Sequence, residues 1–188
     1  MIDNPVRSAI RALCTLALAA GMAHAAQAAW IPAKAAVAQG LLEHAFATGI
    51  ANHQPPRRAA IVDAAPVARI AVPRLGVGAV VLAGRSRQAL SMAPTELATH
   101  IDGVRVLSGH RDTHFAFIRD LAVGDRIELT DASGVHAYRI TRFETVRHDA
   151  FAVPRKPDRA MLALATCWPF DAQPGTPWRR IAWAEAVE

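Results

Sequence analysis

The sequence predicts a mainly β protein whose folded part forms a closed or nearly closed β-barrel. Seven runs have the alternating or β-branched pattern of short strands, at residues 67–72, 77–82, 104–107, 126–130, 135–142, 161–166 and 181–184. Only two brief helices fit between them, near residues 87–92 and 114–121. Seven or eight short strands with so few helices favour a barrel over a layered α/β fold.

The N-terminal segment, residues 1–31, has the pattern of a signal or membrane anchor. Arg7 and Arg11 precede an uncharged run rich in Leu and Ala, from residue 12 to residue 23. This run matches the core of a signal peptide, and Ala23-His24-Ala25 resembles a cleavage site. Weakly apolar sequence nevertheless continues to Trp30, an aromatic residue suited to a membrane interface. We therefore expect a retained membrane anchor, with a cleaved signal as the alternative, and export of the remaining chain.

Residues 32–59 predict an amphipathic helix followed by a linker. After Pro32, apolar residues recur at helical spacing, at Val37, Leu41, Leu42, Ala45, Phe46 and Ile50. Two prolines and two arginines at residues 55–58 then interrupt this pattern. The barrel domain is expected to occupy residues 60–188.

Within that domain, strand-like runs alternate with turns. Residues 67–72 alternate in the manner of a strand, residues 73–76 form a Pro- and Gly-containing turn, and residues 77–82 are rich in valine. The later runs are similarly short and are separated by Gly, Pro or Asp.

The composition indicates one globular domain without a nucleic-acid-binding surface. Of the 188 residues, 52% are hydrophobic and 20% are charged, which is typical of a folded chain. There are 21 Lys and Arg residues against 16 Asp and Glu, but they are scattered. The only adjacent arginines are Arg57-Arg58 and Arg179-Arg180, and no basic stripe appears, so no nucleic-acid partner is expected.

The cysteines give the sharpest chemical signal. Cys14 lies in the N-terminal apolar segment, which leaves Cys167 as the single thiol of the predicted barrel. Cys167 follows an apolar strand at residues 161–166 and precedes Trp168-Pro169, where the chain must leave the strand. A nucleophile at the end of a strand is held rigidly and remains open to a substrate.

A thiol nucleophile needs a proton carrier and a donor for the oxyanion, and both residue types occur at comparable positions. His110 follows the strand at residues 104–107 through Ser108-Gly109. Arg179 opens the last strand and lies on the same alternating face as Ile181 and Trp183.

These motifs together resemble the sortase family. The resemblance rests on Ser-Gly-His-Arg-Asp-Thr-His-Phe at residues 108–115, Leu-Ala-Thr-Cys-Trp-Pro-Phe at 164–170 and Trp-Arg-Arg-Ile-Ala-Trp-Ala at 178–184. Residues 30–35 and 72–77 look like the Gram-negative type of sortase, so the resemblance covers nearly the whole chain. One departure is Met-Ala-Pro-Thr-Glu-Leu-Ala-Thr at residues 92–99, which differs from the Gly-Pro-Gly-His-rich stretch of relatives.

The resemblance implies an eight-stranded barrel with a nucleophilic Cys167, a proton-handling His110 and an oxyanion- or substrate-holding Arg179. It implies transpeptidation of an exported protein that carries a Leu-Pro-x-Thr-Gly-like C-terminal sorting signal, through a thioester that an amine resolves. It also implies that no metal or organic cofactor is needed, and that the barrel faces the periplasm from the inner membrane.

Two other functions remain open at this stage. His110 and His114 are four residues apart, and with Asp112 and Cys167 they form a candidate metal site for a hydrolase. Arg111 lies where a His-Glu-x-x-His motif has its general base, which argues against a zinc protease of that kind. The other alternative is an exported barrel that only binds a partner, with Cys167 as a small buried side chain.

Overall fold

The computed structural model describes residues 5–51, 63–99, 101–173 and 175–187. The chain forms two compact units, residues 1–38 and residues 39–188. In the first unit the described residues belong to an α-helix, α1 (Pro5–Ala51), whose last turns belong to the second unit. The predicted linker and the predicted domain start at residue 60 lie outside the described residues.

Helix α1 runs through Pro32, where the sequence had predicted the start of a separate helix. Alanine has the highest helix propensity of all residues, and the alanine-rich sequence on both sides of Pro32 favours one continuous helix. Among the described residues, no helix is both long and apolar enough to cross a membrane. The signal or anchor therefore stays a prediction.

The second unit contains a closed barrel of eight strands, as predicted. The strands are β1 (Pro66–Val72), β2 (Val77–Ala83), β3 (Thr95–Leu97), β4 (Val104–Ser108), β5 (Arg126–Asp131), β6 (Gly134–Arg147), β7 (Met161–Trp168) and β8 (Trp178–Ala186). Their order around the barrel is β1-β2-β3-β4-β7-β8-β6-β5, and β5 pairs with β1 to close it. The predicted helix near residues 87–92 is α2 (Arg87–Met92), and the one near 114–121 is a 3₁₀ helix at Ala116–Asp120.

Strand β3 is the element that the sequence analysis missed. It is three residues long and lies between β2, to which it is parallel, and β4, to which it is antiparallel. The pair β4–β7 is also parallel, whereas β7–β8 is antiparallel. Consequently β4 and β7 end at the same edge of the barrel, and β8 begins there.

Apolar side chains fill the barrel and also cover part of its outer surface. The interior contains large buried residues from most strands, among them Ile70, Leu107, Leu129, Ile140, Leu162 and Leu164. A second cluster, outside β4, β7 and β8, contains Val104, Val106, Ala163, Ala165, Ile181 and Trp183. Strand β7 is thus buried on both faces, which explains its uninterrupted apolar run.

The last turns of α1 pack on the barrel. Leu42 and Phe46 are buried in a cluster with Val80 and Leu82 of β2. At the edge of this cluster, Arg69 Nε donates to Glu43 Oε1 at 3.0 Å. This segment therefore belongs to the hydrophobic core of the second unit.

Candidate active site

The parallel register of β4 and β7 brings His110 level with Cys167. Ser108 pairs with Ala165, and the Gly109 N–H donates to the Ala165 carbonyl at 3.2 Å. His110 follows the end of β4 by two residues, and the same register continued past Ser108–Ala165 would place it opposite Cys167 of β7. The thiol is free and partly exposed, and His110 is exposed.

Arg179 lies on the other side of Cys167. In the antiparallel pair β7–β8, Cys167 and Arg179 are directly opposite each other. The three predicted site residues therefore occupy one level of three neighbouring strand ends, in the order His110, Cys167, Arg179. The structure brings all three together.

The two adjacent arginines have different surroundings. Arg179 Nη1 donates to the carbonyl of Thr176, in the connection between β7 and β8, and to that of Trp178, the first residue of β8, each at 2.9 Å. Arg180 instead lies over the rings of Phe143 at 4.9 Å and Trp168 at 5.3 Å. Strand alternation directs the two side chains to opposite faces, so only Arg179 shares a face with Cys167.

Thr166 and Gly109 hold the two strand ends together. Thr166 is 2% exposed, and its hydroxyl donates to the Gly109 carbonyl at 2.8 Å. A Cβ atom on Gly109 would lie 2.6 Å from Cγ of Phe115, whose ring is fully buried. Glycine before His110 is therefore required by the close approach of this ring.

Arg111 is a site component that the sequence analysis did not identify. Its side chain is 5% exposed, and Nη1 donates to the Pro169 carbonyl at 2.7 Å while Nη2 donates to the Ala172 carbonyl. Asp112 contacts the same guanidinium, with 3.4 Å between Arg111 Nε and Asp112 Oδ1. No local pattern marks this arginine, because its partners lie about 60 residues further along the chain.

His114 is a second imidazole near the site. Burial lowers the pKa of His114, and the charge that His110 carries when protonated lowers it further. A hydrogen bond with the Ser91 backbone raises this pKa but does not offset the decrease. Among the residues that the structure describes, no group of three or more His, Cys, Asp or Glu side chains is placed to hold a metal ion. Asp112 is paired with Arg111 and is 70% exposed, so it does not complete a set with His110 and His114.

A cavity of about 820 Å³ lies at the other end of the barrel, where β4 begins. Glu96, Arg105 and Tyr138 are among its lining residues, and Arg105 forms ion pairs with Glu96 and Asp131, each at 2.6 Å. None of the three predicted site residues lines this cavity. The candidate reaction centre is therefore the exposed strand edge.

The site thus presents a thiol, an imidazole and a guanidinium at one barrel edge, an arrangement suited to acyl transfer through a thiol nucleophile. A comparison with protein families agrees with this class, because the Sortase domain model matches residues 70–187. The chain belongs to the sortase family. Sortases as a class are cysteine transpeptidases.

Individual relatives resemble part of the chain. Sortase D of Bacillus subtilis (strain 168) is 33% identical over 87 residues, which are 46% of this chain and 44% of that protein. The alignment therefore spans less than half of the curated relative. Listeria monocytogenes sortase A is 27% identical with a TM-score of 0.57, over 65% of this chain and 87% of that structure. Sortase C2 of Group B Streptococcus pilus island 1 is 21% identical with a TM-score of 0.58, over 64% and 73%, and shows the same fold.

Proposed function

We propose that this chain is a sortase that cleaves a C-terminal sorting signal of an exported protein and transfers that protein to an amine. The observation that carries the proposal is the placement of His110, Cys167 and Arg179 at one level of three adjacent strand ends. The signal is proposed to resemble Leu-Pro-x-Thr-Gly, cut between Thr and Gly.

In the proposed first half-reaction, the Cys167 thiolate attacks the Thr carbonyl carbon and forms a C–S bond. The carbonyl oxygen becomes an oxyanion, which Arg179 stabilises. The C–N bond to Gly then breaks, protonated His110 gives its proton to the departing amine, and a thioester remains on Cys167. In the second half-reaction, His110 accepts a proton from the incoming amine as it attacks the thioester and displaces the thiolate.

The outer surface beside Cys167 is chemically suited to the apolar part of such a signal. Val106 and Ala165 lie next to the strand ends, on the face that carries the second apolar cluster. Phe151 and Val153, from the connection between β6 and β7, pack against this cluster. Val106 and Ala165 are already buried, so an extended Leu-Pro segment would make its new apolar contacts at the partly exposed Phe151 and Val153, with its carbonyl toward the thiol.

Arginine suits the proposed role at position 179 better than lysine. A planar guanidinium donates to two acceptors at once, and Arg179 Nη1 already contacts two backbone carbonyls. These contacts restrain the side chain of the residue that pairs with Cys167, before the oxyanion forms. A preorganised donor of this kind loses less free energy to reorganisation during the reaction.

The finer assignments are part of the same proposal. Residues 30–35 and 72–77 support a Gram-negative type of sortase, and Arg7 and Arg11 before the apolar run support an inner-membrane enzyme facing the periplasm. A reporter fused after residue 188 should then be active only outside the cytoplasm. Alkaline carbonate should leave the chain in the membrane, whereas a soluble product beginning near Ala26 would contradict the anchor.

Peptide cleavage by the two cysteine variants tests the proposed function. Cys167→Ala should abolish cleavage of Leu-Pro-x-Thr-Gly peptides, and the matched variant Cys14→Ala, in the N-terminal helix, should cleave like the parent. A metal chelator should leave cleavage unchanged, whereas the His110/His114 hydrolase alternative requires its loss. Cleavage by Cys167→Ala would exclude Cys167 as the nucleophile, and no cleavage by the parent would favour the binding module.

A further inference from the structure

We propose that Arg111 is a positioning residue that sets the separation between His110 and Cys167. The predicted effect on turnover rests on the proposed function, whereas the contacts of Arg111 do not depend on it. Arg111 follows His110 directly, and its guanidinium donates to two carbonyls in the turn that follows Cys167. One side chain thus connects the two segments that carry the reacting groups.

The connection is needed because the two residues lie past the regular pairing of their strands. The parallel ladder between β4 and β7 ends at Ser108 and Ala165. Beyond it, the Gly109 N–H bond to Ala165 and the Thr166 hydroxyl bond to Gly109 hold the segments on the barrel side of the reacting pair. Arg111 connects the same two segments beyond His110 and Cys167, so contacts hold the segments together on both sides of these two residues.

The burial of Arg111 makes this connection rigid. The side chain is 5% exposed, and its two acceptors, Pro169 and Ala172, are three residues apart in one turn. A planar guanidinium that donates from both terminal nitrogens restrains the orientation of this turn as well as its distance. Exposed Arg119 offers a contrast, because its recorded contact with the same turn is with the face of the Phe170 ring, at 5.2 Å.

The backbone around His110 transmits this restraint. The His110 carbonyl accepts the Phe115 N–H at 3.0 Å, and the Phe115 ring is fully buried against Gly109. The His110 backbone is therefore anchored to the core on one side and to the turn after Cys167 on the other. Loosening the second anchor should change the distance between the imidazole and the thiol without changing the apolar surface beside β4 and β7.

Kinetics of Arg111→Met test the consequence for turnover. This variant keeps the length of the side chain and removes its donors, and it should lower kcat by about 10-fold to 100-fold while KM stays within about twofold. Arg111→Lys, which keeps the charge and one donor group, should lie between the parent and Arg111→Met. Arg119→Met is the matched control and should behave like the parent.

A thiol-pairing experiment measures the separation itself and needs no enzymatic activity. In a full-length Cys14→Ala, His110→Cys protein, oxidised glutathione converts the thiols at positions 110 and 167 to a disulfide and yields two molecules of reduced glutathione. The equilibrium gives the effective concentration of one thiol at the other. Adding Arg111→Met should lower it by about 10-fold, and adding Arg119→Met should leave it unchanged.

The outcomes separate this inference from the proposed function. A lower effective concentration supports the positioning role even if the parent cleaves no sorting peptide, a result that would refute only the proposed function. An unchanged effective concentration overturns the positioning role, whatever happens to kcat. If Arg111→Met does not fold, the effective concentration is measured with Arg111→Lys instead. We expect it to be lower than without this substitution, and an equal value would overturn the inference.

Discussion

Gly109→Ala should destabilise the barrel through a single steric conflict. The added Cβ would lie 2.6 Å from Phe115 Cγ and 2.9 Å from two further ring carbons, whereas carbon atoms normally approach to about 3.5–4.0 Å. The ring is 0% exposed and has no free volume on a solvent side. Such overpacking costs about 1–3 kcal/mol, and the lower entropy of unfolded alanine returns about 0.4–1 kcal/mol. The expected net loss in the free energy of unfolding is about 1 kcal/mol.

Equilibrium urea unfolding, followed by tryptophan fluorescence, measures this loss in the full chain. Phe115→Leu provides the test of cause, because a smaller side chain makes room for the added methyl group. The free energy of unfolding of the double variant should exceed, by about 1 kcal/mol or more, the value expected from adding the losses of the two single variants. Gly40→Ala is the matched control, because apart from its own helix no described atom lies within 4 Å of the added Cβ, and it should lose no stability. Additive effects, or a loss below about 0.5 kcal/mol, would refute the steric explanation.

Three further predictions concern charge and packing. Arg179→Lys should lower turnover of sorting peptides by about 10² and Arg180→Lys should have little effect, and equal losses would contradict the assigned faces. Leu42→Ala should cost about 2–4 kcal/mol in urea unfolding and Leu41→Ala under about 0.5, because Leu42 is 0% and Leu41 51% exposed. Burial would raise the pKa of Asp131, but hydrogen bonds from Ser133, Arg105 and His136 lower it to about 2. Its stabilisation of the fold, about 2 kcal/mol, is therefore complete above the unfolded pKa near 4 and is lost as the pH falls toward 2. Asp131→Asn should flatten this acid limb of the melting temperature, and an identical limb in both proteins would contradict the assignment.

Much of the barrel was predictable because its strands carry their own patterns. Seven of the eight strands alternate or form apolar runs, and each is found within a few residues of its predicted position. Strand β3 has no such pattern, since it is three residues long with Glu96 at its centre. Pairing with Leu82 of β2 and Ser108 of β4 creates it, and these contacts are distant in sequence.

The residues of the candidate site that belong to a local strand pattern could be predicted from the sequence, and those that depend on distant contacts could not. A lone cysteine at the end of an apolar strand, and a histidine after a second strand, are visible locally. Arg111 also lies beside His110 in the sequence, but its burial depends on the turn at Pro169–Ala172. Its function follows from the parallel pairing of β4 with β7, which no pattern within either strand specifies.

The proposed reaction forms a thioester between Cys167 and the sorting signal. Its most direct test is the intact mass of the full chain after brief incubation with a Leu-Pro-x-Thr-Gly peptide, without an added amine. We predict an adduct with the mass of the peptide up to its Thr residue, located on Cys167, released by hydroxylamine, and present in Cys14→Ala but not in Cys167→Ala. Cleaved peptide without an adduct on Cys167, or an adduct that persists in Cys167→Ala, would contradict the claim.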